Sequence, residues 1–287
     1  KLKTTVHKAI HFLDNVIDMC DYPNKGTKEI VYSNRKIGLG VMGFADTLIK
    51  LKIPYNSERA VKTAEKIIGF IRKEADVASV ELAKQRLTFP NWDNSIYNRK
   101  SKNFSGKHMP LRNATRITLA PTGSISIIAS TSFGIEPLFA LTYARILDDG
   151  TELLNVNKNF KESLEKKKLY NKEFMKYIAK KGSIQNMESI PQDIRNTFVV
   201  SYDISPEYHV KIQAAFQKHV DNAVSKTVTL PEIATVEDVK NTYLLAHNLG
   251  CKGISIYRFG SRDDQVLFLR AMKEEQVNLT NWLRHLR

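Results

Sequence analysis

Residues 114–130, Ala-Thr-Arg-Ile-Thr-Leu-Ala-Pro-Thr-Gly-Ser-Ile-Ser-Ile-Ile-Ala-Ser, hold the densest set of groups able to grip a ligand. The β-branched run Thr115–Leu119 predicts a strand. It ends at Ala120, Pro121 and Gly123 force a tight turn, and an apolar helix starts near Ser124. The hydroxyls of Thr122, Ser124 and Ser126 then gather at a helix N-terminus beside backbone N–H groups that have no intrahelical acceptor. Free amides, a glycine that permits close approach and the positive end of the helix dipole make an anion site, for which phosphate is the natural ligand. The same spacing also describes an ordinary Ser-capped helix. No lysine follows the glycine as in a Walker loop, so hydrolysis of a nucleoside triphosphate is not indicated.

Other constellations are weaker. Gly38, Gly40 and Gly43 spell G-x-G-x-x-G, and Glu58 stands about where a ribose-binding acid belongs. The preceding Tyr32-Ser33-Asn34-Arg35-Lys36 is polar rather than a buried strand, so the glycines are read as close-packing positions and not as a nicotinamide site. The seven histidines form no HExxH. His7 and His11, four apart on a helix without an evident carboxylate or thiol partner, are read as solvated, and His209 and His219 cannot easily face one site. Cys20 and Cys251 form no CxxC and no zinc quartet, and both are expected to be buried thiols of a cytoplasmic protein. The net charge of +14 favours polyanionic partners, either nucleic acid or phosphorylated small molecules. Much of it lies in short runs such as Lys166–Lys168 and Lys180–Lys181, which read as solvated helix faces.

The elements that must hold the turn follow from periodicity. Val6, Ala9, Ile10, Leu13, Val16, Ile17 and Cys20 form one apolar helix face over residues 3–20. Residues 21–36 read as a loop, and helices are expected at 41–52 and at 57–86, the latter capped by Ser57. A polar stretch, 90–113, leads to the strand before the turn. Residues 151–200 predict a helical excursion on the surface. A helix opens at Ser205-Pro206, Ser capping and Pro in the first turn, and runs to about Ser225. The strand Thr227–Leu230, a helix opened by a capping-box-like Thr235…Asp238 and closed at Gly250, and the strand Gly253–Tyr257 follow. Strands alternating with helices predict α/β layers or a barrel. With 287 residues, a large core is available, and no apolar run reaches the ~18 residues a membrane span needs.

At Pro121–Ser126 the sequence resembles the adenosylcobalamin-dependent ribonucleotide reductases. The likeness extends to Asn34-Arg-Lys-Ile-Gly-Leu-Gly-Val-Met-Gly-Phe44, Arg112-Asn-Ala-Thr115 and Ser132-Phe-Gly-Ile-Glu-Pro-Leu-Phe139. It continues through Ala214–Thr227 and Gly250-Cys-Lys-Gly-Ile-Ser-Ile-Tyr-Arg258, then Gly260-Ser-Arg262, and covers roughly residues 3–267 in the family's order. The resemblance implies part of a ten-stranded α/β barrel over residues 1–267 and a divergent tail over 268–287. It also implies that Thr122, Gly123, Ser124, Ile125 and Ser126 hold the substrate's phosphates, with Pro121 shaping the turn. Ser132–Pro137 are expected near the same pocket.

The family's reaction uses a cysteine thiyl radical, formed through adenosylcobalamin, to take the ribose 3′ hydrogen, and two further cysteines to supply the electrons that remove the 2′ hydroxyl. The radical cysteine belongs to an Asn-x-Cys-x-Glu stretch that this sequence lacks, so neither Cys20 nor Cys251 is assigned to it. Cys251 is read as packing. The resemblance therefore implies a C-terminal segment that needs an N-terminal part carrying that cysteine, a dithiol reductant and a ribonucleotide, and that does not turn over alone. The adjacent-tyrosine signature of the diiron class is absent, since Ile256 precedes Tyr257. A basic nucleic-acid-binding protein without enzymatic activity is the alternative that charge alone suggests.

Overall fold

The computed structural model describes residues 1–146 and 152–261. The expected tail at 268–287 lies outside the described residues. Helix α1 (Leu2–Met19) buries Val6, Ile10 and Ile17 along the long helix α4 (Glu58–Arg86). Buried positions on α4 fall at Ala60, Ala64, Ile68, Ile71, Ala75, Ala78 and Leu82, the three-and-four spacing of a single face. Its small residues let neighbours come close, and the Ser57 hydroxyl accepts from the Ala60 amide as its cap.

The stretch 21–36, expected as a loop, instead contains helix α2 (Lys25–Asn34). The Asn24 side chain accepts from the Thr27 amide at 2.8 Å and starts it. No α2 residue is buried, so it has no apolar stripe to betray it. Helix α3 (Phe44–Lys50) follows as expected, and a 3₁₀ turn (Pro90–Asn94) lies in the polar stretch.

Parallel neighbours lie under these helices. Leu39 bridges Ile117 and Leu119 bridges Val224; strand β3 (Thr227–Leu230) then pairs in parallel with β4 (Ser255–Arg258). Helix α10 (Val236–Asn248) crosses between β3 and β4, opened by the expected Thr235–Asp238 capping box. The strand expected at Thr115–Leu119 is extended but is joined to its neighbours only by isolated bridges. One carboxylate explains this: Asp221 Oδ2 accepts from the amides of both Arg116 (2.6 Å) and Ile117 (3.1 Å), taking donors that a regular ladder would use.

The excursion differs from expectation in two ways. It opens on an antiparallel hairpin, β1 (Thr142–Ile146) with β2 (Glu152–Val156), before helices α6 (Lys158–Lys166), α7 (Lys172–Lys181) and α8 (Gln192–Thr197). Nor is it a surface appendage, because Phe160, Leu164, Met175, Ile178 and Ile194 belong to the same buried cluster as Ile10, Ile68 and Ile117. Helix α9 (Pro206–Gln217) ends well before Ser225, and the Ser205 side chain does not cap it; proline at the first position is observed as expected. A small second cluster, Val210, Val228, Leu230 and Ala246, is packed by α9, β3 and α10.

The glycine triplet is a packing device. Leu39 lies beside Ile117, and a Cβ on Gly40 would stand 2.5 Å from the Thr118 carbonyl oxygen. Gly43 has φ +82°, with Thr131 Oγ1 in the space of its missing Cβ. Gly40→Ala is therefore expected to cost about 1–3 kcal/mol, measured by urea denaturation, because backbone must shift to admit one methyl group.

Two buried charge clusters tie the helices to this layer. Asp14, fully buried, accepts from Arg35 Nε and Asn113 Nδ2, each at 2.9 Å, and also meets Arg86 and Arg112. Arg116, also fully buried, meets Asp76 at 2.9 Å and Asp221 at 3.3 Å.

Candidate phosphate-binding turn

The turn predicted from sequence is present. Helix α5 (Gly123–Ile128) begins after Thr122, which takes a left-handed φ of 58° and gives no side-chain cap. The first intrahelical bond runs from the Ser126 amide to the Thr122 carbonyl at 3.0 Å. The amides of Gly123, Ser124 and Ile125 consequently have no acceptor among the described residues. Pro121, Gly123, Ser124 and Ile125 are exposed, while Thr122 is half-buried. A Cβ at Gly123 would meet nothing within 4 Å, so there is open space beside the start of the helix.

The three hydroxyls do not act together. Ser124 faces solvent. Ser126 is buried and donates to the Gly123 carbonyl at 2.8 Å, so it braces the turn from inside. Thr122 Oγ1 accepts from the Gly134 amide at 2.8 Å. That bond brings Ser132–Pro137 against the turn: a Cβ on Gly134 would lie 3.2 Å from the Ala120 carbonyl oxygen.

Behind this loop lies a cluster that sequence reasoning missed. The Lys226 ammonium has no side-chain exposure and donates to Glu136 Oε2 at 2.6 Å, to His209 Nδ1 at 2.8 Å and to the Thr227 carbonyl. Glu136 Oε1 accepts from the Thr227 amide at 2.7 Å. Burial, reinforced by the Lys226 charge, holds the His209 imidazole well below its ordinary pKa, so it is neutral. Its Nε2–H is then positioned to donate to the Ser201 carbonyl at 3.1 Å. Burial also pulls Lys226 below its usual range, and Glu136 offsets only part of that. Residues 136, 209 and 226 share no local spacing, so only the tertiary fold brings them together.

The remaining candidates separate. His7 is not simply solvated: it lies 3.0 Å from Glu74 across α1 and α4, and His11 lies 3.0 Å from Arg86. His209 and His219 stand apart, His219 lying against Gly69 and near Glu65. Cys20 is exposed at the end of α1, contrary to expectation. Cys251 packs against the second cluster as expected, but it is half-buried rather than buried. The lysine runs are exposed, and Lys167 lies 3.9 Å from Asp193. Among the described residues, no helix is long and apolar enough to cross a membrane, and no group of acidic, His and Cys side chains could hold a metal ion.

A parallel layer flanked by helices, with an open helix-start turn at one strand end, defines an α/β architecture. The family model for the ribonucleotide reductase barrel domain matches residues 1–257, and the chain belongs to that family. It is 43% identical over 93% of its length to a vitamin B12-dependent ribonucleoside-diphosphate reductase from Thermoplasma acidophilum, covering 34% of that protein. It is 41% identical over 95% of its length to a protein of the same description from Mycobacterium tuberculosis, covering 37% of it. The chain thus spans about a third of the length of these relatives. Its fold superposes with a TM-score of 0.74 on the Actinobacillus ureae class Id ribonucleotide reductase alpha subunit, at 24% identity, covering 89% of this chain and 46% of that one.

Proposed function

We propose that this chain forms the later part of a ribonucleotide reductase barrel, over residues 1–267, and supplies the site for the substrate's phosphates. The observation that carries the reading is the turn itself: the amides of Gly123, Ser124 and Ile125 have no acceptor among the described residues, these residues are exposed, and a Cβ at Gly123 would meet nothing within 4 Å, in a member of the reductase barrel family. Phosphate oxygens would accept from these amides and from the Ser124 hydroxyl, with the α5 dipole adding to the attraction. Pro121 shapes the approach, Thr122 ties the turn to Gly134, and Ser126 fixes it through Gly123.

In this proposal the parallel neighbours at 39, 117, 119, 224 and β3–β4 are staves of a ten-stranded barrel completed by an N-terminal part. That part carries the radical cysteine and works with a dithiol reductant in the cytoplasm. The assembled enzyme converts ribonucleotides to deoxyribonucleotides. The descriptions of the Thermoplasma and Mycobacterium relatives name vitamin B12, which makes adenosylcobalamin the proposed radical source. This chain's own residues do not fit the radical step. Cys20 is exposed at a helix end, Cys251 packs in an apolar cluster, and neither thiol has an acid or base bonded to it among the described residues. In this reading the segment binds and orients the substrate.

The test mixes the chain with an N-terminal part bearing the cysteines, adenosylcobalamin, a dithiol and a ribonucleotide. Deoxyribonucleotide is expected only from the full mixture. Turnover by the chain alone would overturn the division of labour.

A further inference from the structure

The Lys226–Glu136–His209 cluster is costly to bury and touches none of the amides of the turn. An ammonium with no side-chain exposure loses its hydration, and an apolar residue could fill the same volume without that cost. What the charge adds is direction. An ammonium has three donors and no acceptor, and here each donor has one partner: Glu136 Oε2, His209 Nδ1 and the Thr227 carbonyl. Neutral His209 can offer its Nδ1 lone pair because its other nitrogen is positioned to donate to Ser201. Glu136 is held at both oxygens, one by Lys226 and one by the Thr227 amide, and so is fixed to the start of β3.

From Glu136 the constraint runs a short way to the turn. The Glu136 amide donates to the Phe133 carbonyl at 2.8 Å, closing the loop on itself, and the Ile135 carbonyl accepts from the Tyr55 hydroxyl at 2.5 Å. Gly134, between them, donates its amide to Thr122 Oγ1, and its missing Cβ leaves room for the Ala120 carbonyl. Thr122 is the residue in left-handed conformation just before the free amides, a backbone state that its surroundings must hold in place.

We infer that Lys226 is a positioning residue for the Thr122–Ser126 turn, acting through Glu136 and the Gly134–Thr122 hydrogen bond. The inference rests on the phosphate-site reading. Lys226 touches no ligand; it sets the orientation of Glu136, and Glu136 sets the loop that holds the cap of α5.

The test uses the full chain with inorganic pyrophosphate as probe, its affinity measured by calorimetry. Hydrogen exchange at the Gly134 amide and thermal unfolding are followed alongside. Glu136→Gln keeps the side-chain length and an oxygen for the Thr227 amide but turns an NH₂ toward the ammonium. It is expected to weaken pyrophosphate binding about tenfold and to speed Gly134 exchange by a similar factor, the size of losing one charge-assisted bond. Lys226→Met is expected to do the same. Ile212→Val, a buried change outside this path, serves as a control for general loss of stability and should bind as the unaltered chain does. If Lys226→Met fails to fold, Glu136→Gln decides. If the unaltered chain does not bind pyrophosphate, the phosphate site falls and the positioning role with it. If it binds, and Glu136→Gln binds equally well or loses no more than the control, the positioning role alone is overturned.

Discussion

Gly123→Val is expected to leave the fold intact and to raise the Kd for a ribonucleoside diphosphate at least about tenfold, the equivalent of one good charge-assisted contact. The two halves of this expectation have separate causes. Stability should hardly change, because a Cβ at position 123 meets no atom within 4 Å and the residue is not in a left-handed conformation. Valine is no worse a helix former than the glycine it replaces, so propensity adds no cost. Affinity should fall because the isopropyl group fills the space before the amides of Ser124 and Ile125, where an anion must sit to accept from them. Calorimetry with a thermal melt on the same sample separates the two. An unchanged Kd in a folded variant would remove Gly123 from the site. Gly123→Ala should fall between, since a single methyl group only partly blocks the approach.

Asp14→Ala should produce the largest stability loss, about 3–5 kcal/mol by urea denaturation, because it strands buried cationic and amide donors. Arg35, 3% exposed, loses the carboxylate at 2.9 Å and keeps only Asp18 as its acidic partner, while Asn113 Nδ2 keeps only the Arg35 carbonyl. Acid should act on the same group. Burial by itself raises the Asp14 carboxyl, but the Arg35 hydrogen bond and charge, with Arg112 and Asn113, bring it below its ordinary value. A carboxyl lower in the folded than in the unfolded chain contributes stability above the unfolded pKa, and this is lost as pH falls through the folded value. The loss is thus expected below about pH 4, and Asp14→Asn should flatten the pH dependence of stability there. A loss under about 1 kcal/mol on Asp14→Ala would show that the other acceptors suffice.

What could be read in advance depended on whether the signal was local. The α4 stripe, the Thr235–Asp238 box and the Pro-Thr-Gly turn each lie within a few residues of one another, so their types and spacing carried them. Helix α2 escaped because it buries no residue and so has no periodic stripe. The 115–119 segment has strand-forming residues, yet Asp221, a hundred residues away, takes two of its amides. At the site, sequence identified the turn but not the division among its hydroxyls. Ser126 looks like Ser124 in sequence, and only the fold turns one inward to Gly123 and leaves the other in solvent. Cys20, a position on the apolar face of α1 by spacing, lies one residue beyond the helix and is exposed.

In the proposed site Gly123, Ser124 and Ile125 present their amides to phosphate. Backbone ¹⁵N–¹H NMR of the chain, titrated with a ribonucleoside diphosphate and separately with the matching nucleoside, tests it at those atoms. Saturable shifts at these three amides with the diphosphate, and none with the nucleoside, are expected. Amides that stay fixed while the diphosphate binds elsewhere, or that respond equally to the nucleoside, would contradict it.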